Sequence, residues 1–183
     1  GQSDSYVFFG YVDQLLLGEA LAERGIRPVL DYFARDTELG LGAQLWLVRG
    51  ASARDALSAG GDEGVDSRLE TLQADSKMGI ASLTRTAGEV YADLLELGSA
   101  YVPVLSPVGD ESAVLAERGY GILKGDALVG FLEGEAARGL ELLAGGSSRG
   151  VLEAELPSQR VSVRITSART QSRLEFQGDA PSR

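Results

Sequence analysis

The sequence predicts an α/β or α+β protein, with a mixed sheet flanked by helices and a C-terminal group of antiparallel strands. Three observations carry this. Runs such as Ala43–Val48 (AQLWLV) are apolar on both faces, as strands covered on both sides must be. Between such runs lie segments with helical spacing and recognisable caps. Thr86 and Glu89 form a capping box ahead of Ala87, Val90, Tyr91, Leu94 and Leu95. From Val151 onward polar and apolar residues alternate, the period of half-exposed strands.

In chain order, residues 1–5 read as a frayed end, and a buried strand is expected at about Val12–Leu17 after a turn at Gly10. Gly18–Gly25 makes a short helix closed by Gly25. Pro28 suits the first turn of a second helix, with Val29, Leu30 and Phe33 on one face and Arg35-Asp36 at its end. Strand Ala43–Val48 follows, and Ser52 is placed to cap a helix reaching Leu57. A glycine-rich stretch, Ser58–Gly64, precedes a helix over Val65–Met78. The capping-box helix stops at Gly98, and a short strand, Tyr101–Leu105, is ended by Pro107. A strand around Ala113–Ala116 then leads into a hairpin.

That hairpin, with the helix behind it, is the stretch the chain is organised around: Arg118–Leu143, RGYGILKGDALVGFLEGEAARGLELL. Gly125-Asp126 suits a two-residue turn. The turn sets Leu123 opposite Leu128, Ile122 opposite Val129, Gly121 opposite Gly130 and Tyr120 opposite Phe131. Gly121 and Gly130 would then leave a bare spot for close approach, and Gly139 within the following helix is read as a third packing glycine. Leu140 and Leu143 are expected to face inward. Strands at Val151–Leu156, Gln159–Ile165 and about Gln171–Phe176 complete the reading. The expected organisation is one mixed domain over 1–145, antiparallel strands over 146–177 and a polar tail over 178–183.

Composition excludes several functions. A net charge of −10 opposes a nucleic-acid backbone or an anionic lipid surface as partner. With no cysteine and no histidine, disulfides, thiolate chemistry, Cys/His zinc sites and His-based acid–base catalysis are all removed. No apolar run approaches the ~20 residues of a membrane-spanning helix. No cofactor is expected.

The remaining chemical candidates have structural explanations. Gly119, Gly121 and Gly125 lie within or between strands, the wrong order for a dinucleotide or phosphate loop. The acid pairs Asp62/Glu63 and Glu133/Glu135 could in principle supply two carboxylates for glycoside hydrolysis, but a solvated loop and a helix's first turn account for them. Ser52, Ser58, Ser67 and Ser76 lack a base and a nucleophile elbow. Asp31, Arg35 and Asp36 have the spacing of a surface ion pair, with ligand anchoring by Arg35 and Asp36 as the sharper alternative. Trp46 and Tyr91 read as core residues, each on an apolar face, with a ligand platform as the alternative. Catalysis is not expected.

Two stretches carry a family resemblance. In Gly10–Leu57, Gly18, Glu19, Ala22, Gly25, Asp31, Arg35, Asp36, Gly50, Ala51 and Leu57 fall in an ordered strand–helix–helix–strand–helix pattern. In Gly119–Leu142, Lys124, Leu128, Val129, Gly130, Leu132, Glu135 and Gly139 form a second. Together they resemble the Ger(x)C family, the C subunit of bacterial spore germinant receptors. The resemblance implies a non-enzymatic subunit, lipid-anchored to the outer face of the spore inner membrane and working with two integral-membrane partners in the nutrient response. It also implies a fragment lacking the lipid anchor and the family's C-terminal domain. The rival class is a small-molecule or peptidoglycan-fragment binding module, with its ligand near Arg35 and Trp46.

Overall fold

A computed structural model of the chain describes residues 6–9, 14–36, 40–58, 83–108, 114–146 and 149–165. The expected helix at 65–78, the strand at 171–176, the pair Asp62/Glu63, Ser67, Ser76 and the tail lie outside these. In chain order the elements are β1 (Tyr6–Phe9), β2 (Gln14–Gly18), α1 (Glu19–Arg24), α2 (Arg27–Arg35), β3 (Gln44–Val48), α3 (Ala53–Ser58), α4 (Ala87–Glu96), β4 (Ser99–Val108), β5 (Val114–Lys124), β6 (Ala127–Leu132), α5 (Gly134–Gly145), β7 (Gly150–Glu155) and β8 (Arg160–Ile165).

Strands β1 to β6 lie side by side in chain order, and β7 pairs with β8 in a separate two-stranded sheet. The β2–β3 and β3–β4 pairs are parallel; the others in the large sheet are antiparallel. This mixed topology follows from the connections, because parallel neighbours need a crossover and the later strands are joined by short turns. One face of the sheet packs Leu15, Leu17, Leu45, Leu47, Val102 and Val104 against α1, α2 and α4. The other face is divided. Leu16, Trp46, Val48, Leu105 and Leu115 pack with Ala53 and Ala56 of α3, while Tyr120, Ile122 and Leu132 pack under α5 and the β7–β8 sheet.

The helices begin and end where the sequence signals lie. The Thr86 hydroxyl accepts the Glu89 N–H at 3.1 Å, and the Glu89 carboxylate accepts the Thr86 N–H at 3.3 Å, closing the capping box. Ser52 accepts the Asp55 N–H at 3.0 Å. Val29, Leu30 and Phe33 are buried as α2's inward face. One inward assignment fails, Leu143 being 45% exposed, and Leu95, the last residue of the apolar spacing in α4, is 56% exposed. In each helix the buried stripe (Ala87, Val90 and Leu94; Ala137, Leu140 and Ala144) already fills the available face, leaving the neighbouring leucine at the rim.

The strands also depart from expectation. β4 runs from Ser99 to Val108, through both Pro103 and Pro107. It is laddered to β3 only at Val104 and Leu105, so neither proline has to donate to that ladder. The β5–β6 hairpin turns at Gly125-Asp126 and pairs Leu123 with Leu128 as expected. A bulge then shifts the register, so Ile122 pairs with Gly130, Gly121 with Phe131 and Tyr120 with Leu132. Without that extra residue Phe131 would share a face with Tyr120; with it, Phe131 joins the helix-covered core on the other side. A second irregularity sets three residue steps of β5, Glu117 to Tyr120, against two of β4. Gly119 lies in that segment at φ +68°, and a Cβ there would fall 1.9 Å from the Leu132 carbonyl oxygen.

Candidate functional site

A candidate cleft lies at the carboxyl ends of the parallel strands β2 and β3, where open sheets of this kind hold ligands. β2 passes through Gly18 directly into α1, and β3 turns through Gly50 and Ser52 into α3. Between the two helix starts is a cleft of about 470 Å³, lined by Gly18, Glu19, Leu21, Glu23, Gly50 and Ser52. Among the described residues, its charged lining groups are the Glu19 and Glu23 carboxylates. No cluster of metal-ligating side chains occurs among the described residues. Gly18, Glu19, Gly50 and Ala51, at its mouth, belong to the first resemblance stretch, the one signal in the sequence that pointed here.

The structure does not assemble a site from Arg35, Asp36 and Trp46. Trp46 is fully buried, and its indole N–H donates to the Gln14 side-chain carbonyl at 2.7 Å. It lies on the α3 side of the sheet, whereas Phe33, two residues before Arg35, packs on the opposite side. Arg35 is exposed, and Asp36 closes α2 by donating its N–H to the Phe33 carbonyl at 3.3 Å. Asp31 pairs with Arg27, one turn earlier, at 3.1 Å rather than with Arg35. A third group joins this pair. The Tyr91 hydroxyl donates to the same Asp31 oxygen at 2.6 Å, and the Arg27 guanidinium lies 5.3 Å from the Tyr91 ring centre. That hydroxyl, then Arg27, holds the Asp31 carboxyl below its ordinary value.

Of the second acid pair, Glu133 is bound to Arg49 and, at 3.3 Å, to Arg118. It stands at the N-cap of α5 but makes no side-chain cap hydrogen bond there. The glycines have distinct roles. A Cβ on Gly121 would lie 2.4 Å from a Leu47 methyl, and one on Gly130 would lie 2.9 Å from both Leu156 methyls, on the opposite face. Gly139 meets nothing within 4 Å, so it is not a close-approach glycine.

A buried charge cluster escaped the sequence reading. Arg85 and Asp93, 3% and 6% exposed, form an ion pair. The Arg85 guanidinium stacks 4.3 Å from the Tyr101 ring centre, and Arg164 of β8 comes within 3.9 Å of Asp93. Burial pushes the Asp93 carboxyl up, against the pull of Arg85. Arg164 also binds Glu96, and the Ser99 hydroxyl donates to the Ser162 carbonyl. Together these contacts tie β8 to α4 and the start of β4. The available signal was Asp93 itself, an acid three residues from Val90 on an otherwise apolar face.

Fold and cleft together define an α/β protein whose two faces are bound into one body by a hairpin, a helix and a small second sheet. Residues 1–107 match the family model described as Spore germination protein N-terminal domain, and residues 118–182 match Spore germination B3/GerAC like, C-terminal. The chain belongs to the Ger(x)C family of spore germination proteins. It is 28% identical over 155 residues to YfkR of Bacillus subtilis (strain 168), whose name places it in spore germination. That match covers 79% of this chain and 38% of YfkR. The crystal structure of the GerBC protein shares the fold, with a TM-score of 0.52 at 21% identity, over 85% of this chain and 44% of that one. The chain therefore spans less than half the length of both.

The second family match corrects one expectation. The family's C-terminal domain is not wholly missing, because residues 118–182 match it. Sequence alone obscured this, since β5 and β6 complete the same sheet as β1–β4 and so read as one domain with them.

Proposed function

We propose that this chain is part of a non-catalytic subunit of a spore nutrient-germinant receptor, acting in complex assembly or signalling. The observation that carries this reading is the pair of family matches, in order and spanning most of the chain. In this reading the full-length protein is lipid-anchored at the outer face of the spore inner membrane and works beside integral-membrane subunits. No helix among the described residues is long and apolar enough to cross a membrane. The test is deletion of the gene for the full-length protein, followed by nutrient-triggered germination assays and fractionation of spores. Normal germination on every nutrient tested, together with recovery of the protein in the soluble fraction, would sink the proposal.

A second reading, small-molecule or peptidoglycan-fragment binding, is favoured by the cleft between α1 and α3. Its volume is in the range of small-ligand sites. Thermal-shift screening against amino acids, sugars and muropeptides at millimolar concentration tests it. A stabilising ligand whose effect disappears in Gly50→Leu supports binding in the cleft. No shift with any of them removes the reading.

A further inference from the structure

The large sheet is split between β3 and the first half of β4. Their ladder covers Leu47 and Val48 with Val104 and Leu105 and goes no further toward Ser99 among the described residues. Below it, the same edge of β3 is taken by the segment that leads into α4. There the Leu45 N–H donates to the Arg85 carbonyl and the Ala87 N–H to the Ala43 carbonyl, both at 2.8 Å. That this is one edge follows from the strand period of two, because the Arg49 N–H, four residues beyond Leu45, donates to the Leu105 carbonyl of β4. Arg85 therefore stands in the split, where no continuous ladder separates the two faces.

Its side chain touches both of them. The guanidinium pairs with Asp93 of α4, the helix whose Val90 and Leu94 fill the core shared with α1 and α2. The same guanidinium lies 4.3 Å from the centre of the Tyr101 ring, which belongs to the core on the other face. Tyr101 meets Tyr120 edge to face, with ring centres 5.7 Å apart. The Tyr120 hydroxyl donates to Glu141 of α5 at 2.8 Å and accepts the Leu83 N–H at 2.9 Å. Contacts thus run from Asp93 through Arg85, Tyr101 and Tyr120 to Glu141, from a helix on one face to a helix on the other. The two ends also lie in different family matches, Asp93 in residues 1–107 and Glu141 in residues 118–182.

We propose that Arg85 is a coupler through the sheet: the interaction it makes with Asp93 on α4 sets how firmly Tyr120 holds α5, and the reverse. The guanidinium is 3% exposed, and its Nε–H has no hydrogen-bond acceptor among the described residues, so Asp93 and the Tyr101 ring fix its position. Weakening the hold of Asp93 lets the cation shift on Tyr101, and close packing passes that shift to Tyr120. The effect is reciprocal, because a coupling free energy belongs to both ends. The inference stands on this geometry and not on the germination reading.

A double-mutant cycle tests it, with Asp93→Asn on one face and Tyr120→Phe on the other. The combined effect on the unfolding equilibrium constant should depart from the product of the single effects by about threefold or more, whereas independent sites agree within about twofold. In a Tyr101→Leu background, which leaves the β4–β5 ladder in place, the departure should fall within that twofold. Two NMR readouts do not depend on stability. Tyr120→Phe should move the titration of the Asp93 carboxyl, and Asp93→Asn should shift the Leu83 amide resonance. Single effects that simply multiply, or both resonances unmoved, would overturn the proposal. A departure that survives Tyr101→Leu would also overturn it, by assigning the coupling to the ladder.

Discussion

The Asp126 carboxylate accepts the backbone N–H of Arg27 at 2.9 Å, so the tip of the β5–β6 hairpin caps a helix 99 residues earlier in the chain. The position before α2 is Ile26, which has no side-chain acceptor, and the Asp126 carbonyl takes the Ile26 N–H at 2.8 Å. Gly25, at φ +123°, makes room, since a Cβ there would lie 2.6 Å from the Asp126 carboxylate. On the other side the Gly125 N–H reaches the Gly98 carbonyl at 2.7 Å, beyond the end of α4. The hairpin turn thus joins two helices that the sequence leaves far apart.

Loss of this cap should be measurable. Asp126→Ala is expected to cost about 0.5–2 kcal/mol, and Asp126→Asn much less, because the amide oxygen still accepts. The check is a shift in denaturant midpoint at constant slope. Gly25→Ala should displace the same carboxylate, so the two changes together should cost less than their sum. Strict additivity would mean that Gly25 does not act through Asp126.

The glycines of the hairpin should rank by what a side chain would strike. Gly119→Ala meets the Leu132 backbone and is held at φ +68°, so it should cost at least about 2 kcal/mol. Gly130→Val meets only the Leu156 methyls, which can turn aside, and should cost about 1–3 kcal/mol. Chemical denaturation of both variants decides. A smaller loss for Gly119→Ala than for Gly130→Val would contradict the bulge assignment.

The Arg85–Asp93 pair should behave as a buried pair, not a surface one. Asp93→Ala leaves a guanidinium at 3% exposure without its partner, a loss of about 3–5 kcal/mol. The double replacement Arg85→Met with Asp93→Leu should recover most of that loss, because neither charge then needs solvation. A double mutant as unstable as the single would mean that Arg164 and Tyr101 depend on the charges themselves.

Asp31 sets a pH dependence. Its carboxyl is held below its ordinary 3.8 first by the Tyr91 hydroxyl and then by Arg27. The unfolded chain therefore takes up this proton before the folded chain does as pH falls. The stabilisation is fully present well above pH 3.8 and is lost as pH drops through the lower, folded value. Tyr91→Phe should move the folded value back toward 3.8 and flatten that loss. Midpoints measured across the acid range, with an NMR titration of the Asp31 carboxyl, test this. Identical titration in both proteins would remove Tyr91 from the account.

Local signals in the sequence located the covered strands, the caps at Ser52 and Thr86, the first helix stop at Gly25 and the hairpin turn at Gly125-Asp126. Each depends on neighbours within a few residues, and hydrophobic period and capping chemistry report on that range. Two ordered motif stretches were enough to place the family. The candidate site was far less legible. Arg35 and Trp46 look close along the chain, yet they serve opposite faces of one sheet.

Tertiary structure alone decided the register beyond Leu123, the cap that Asp126 lends to Arg27 and the burial of Arg85 with Asp93. The Arg118–Leu143 stretch shows why. Its turn and its apolar pairs are local properties and could be read directly. The bulge that sends Phe131 to one core and Ile122 to the other exists because two separate layers must both be filled. That competition is settled only when the whole sheet is assembled.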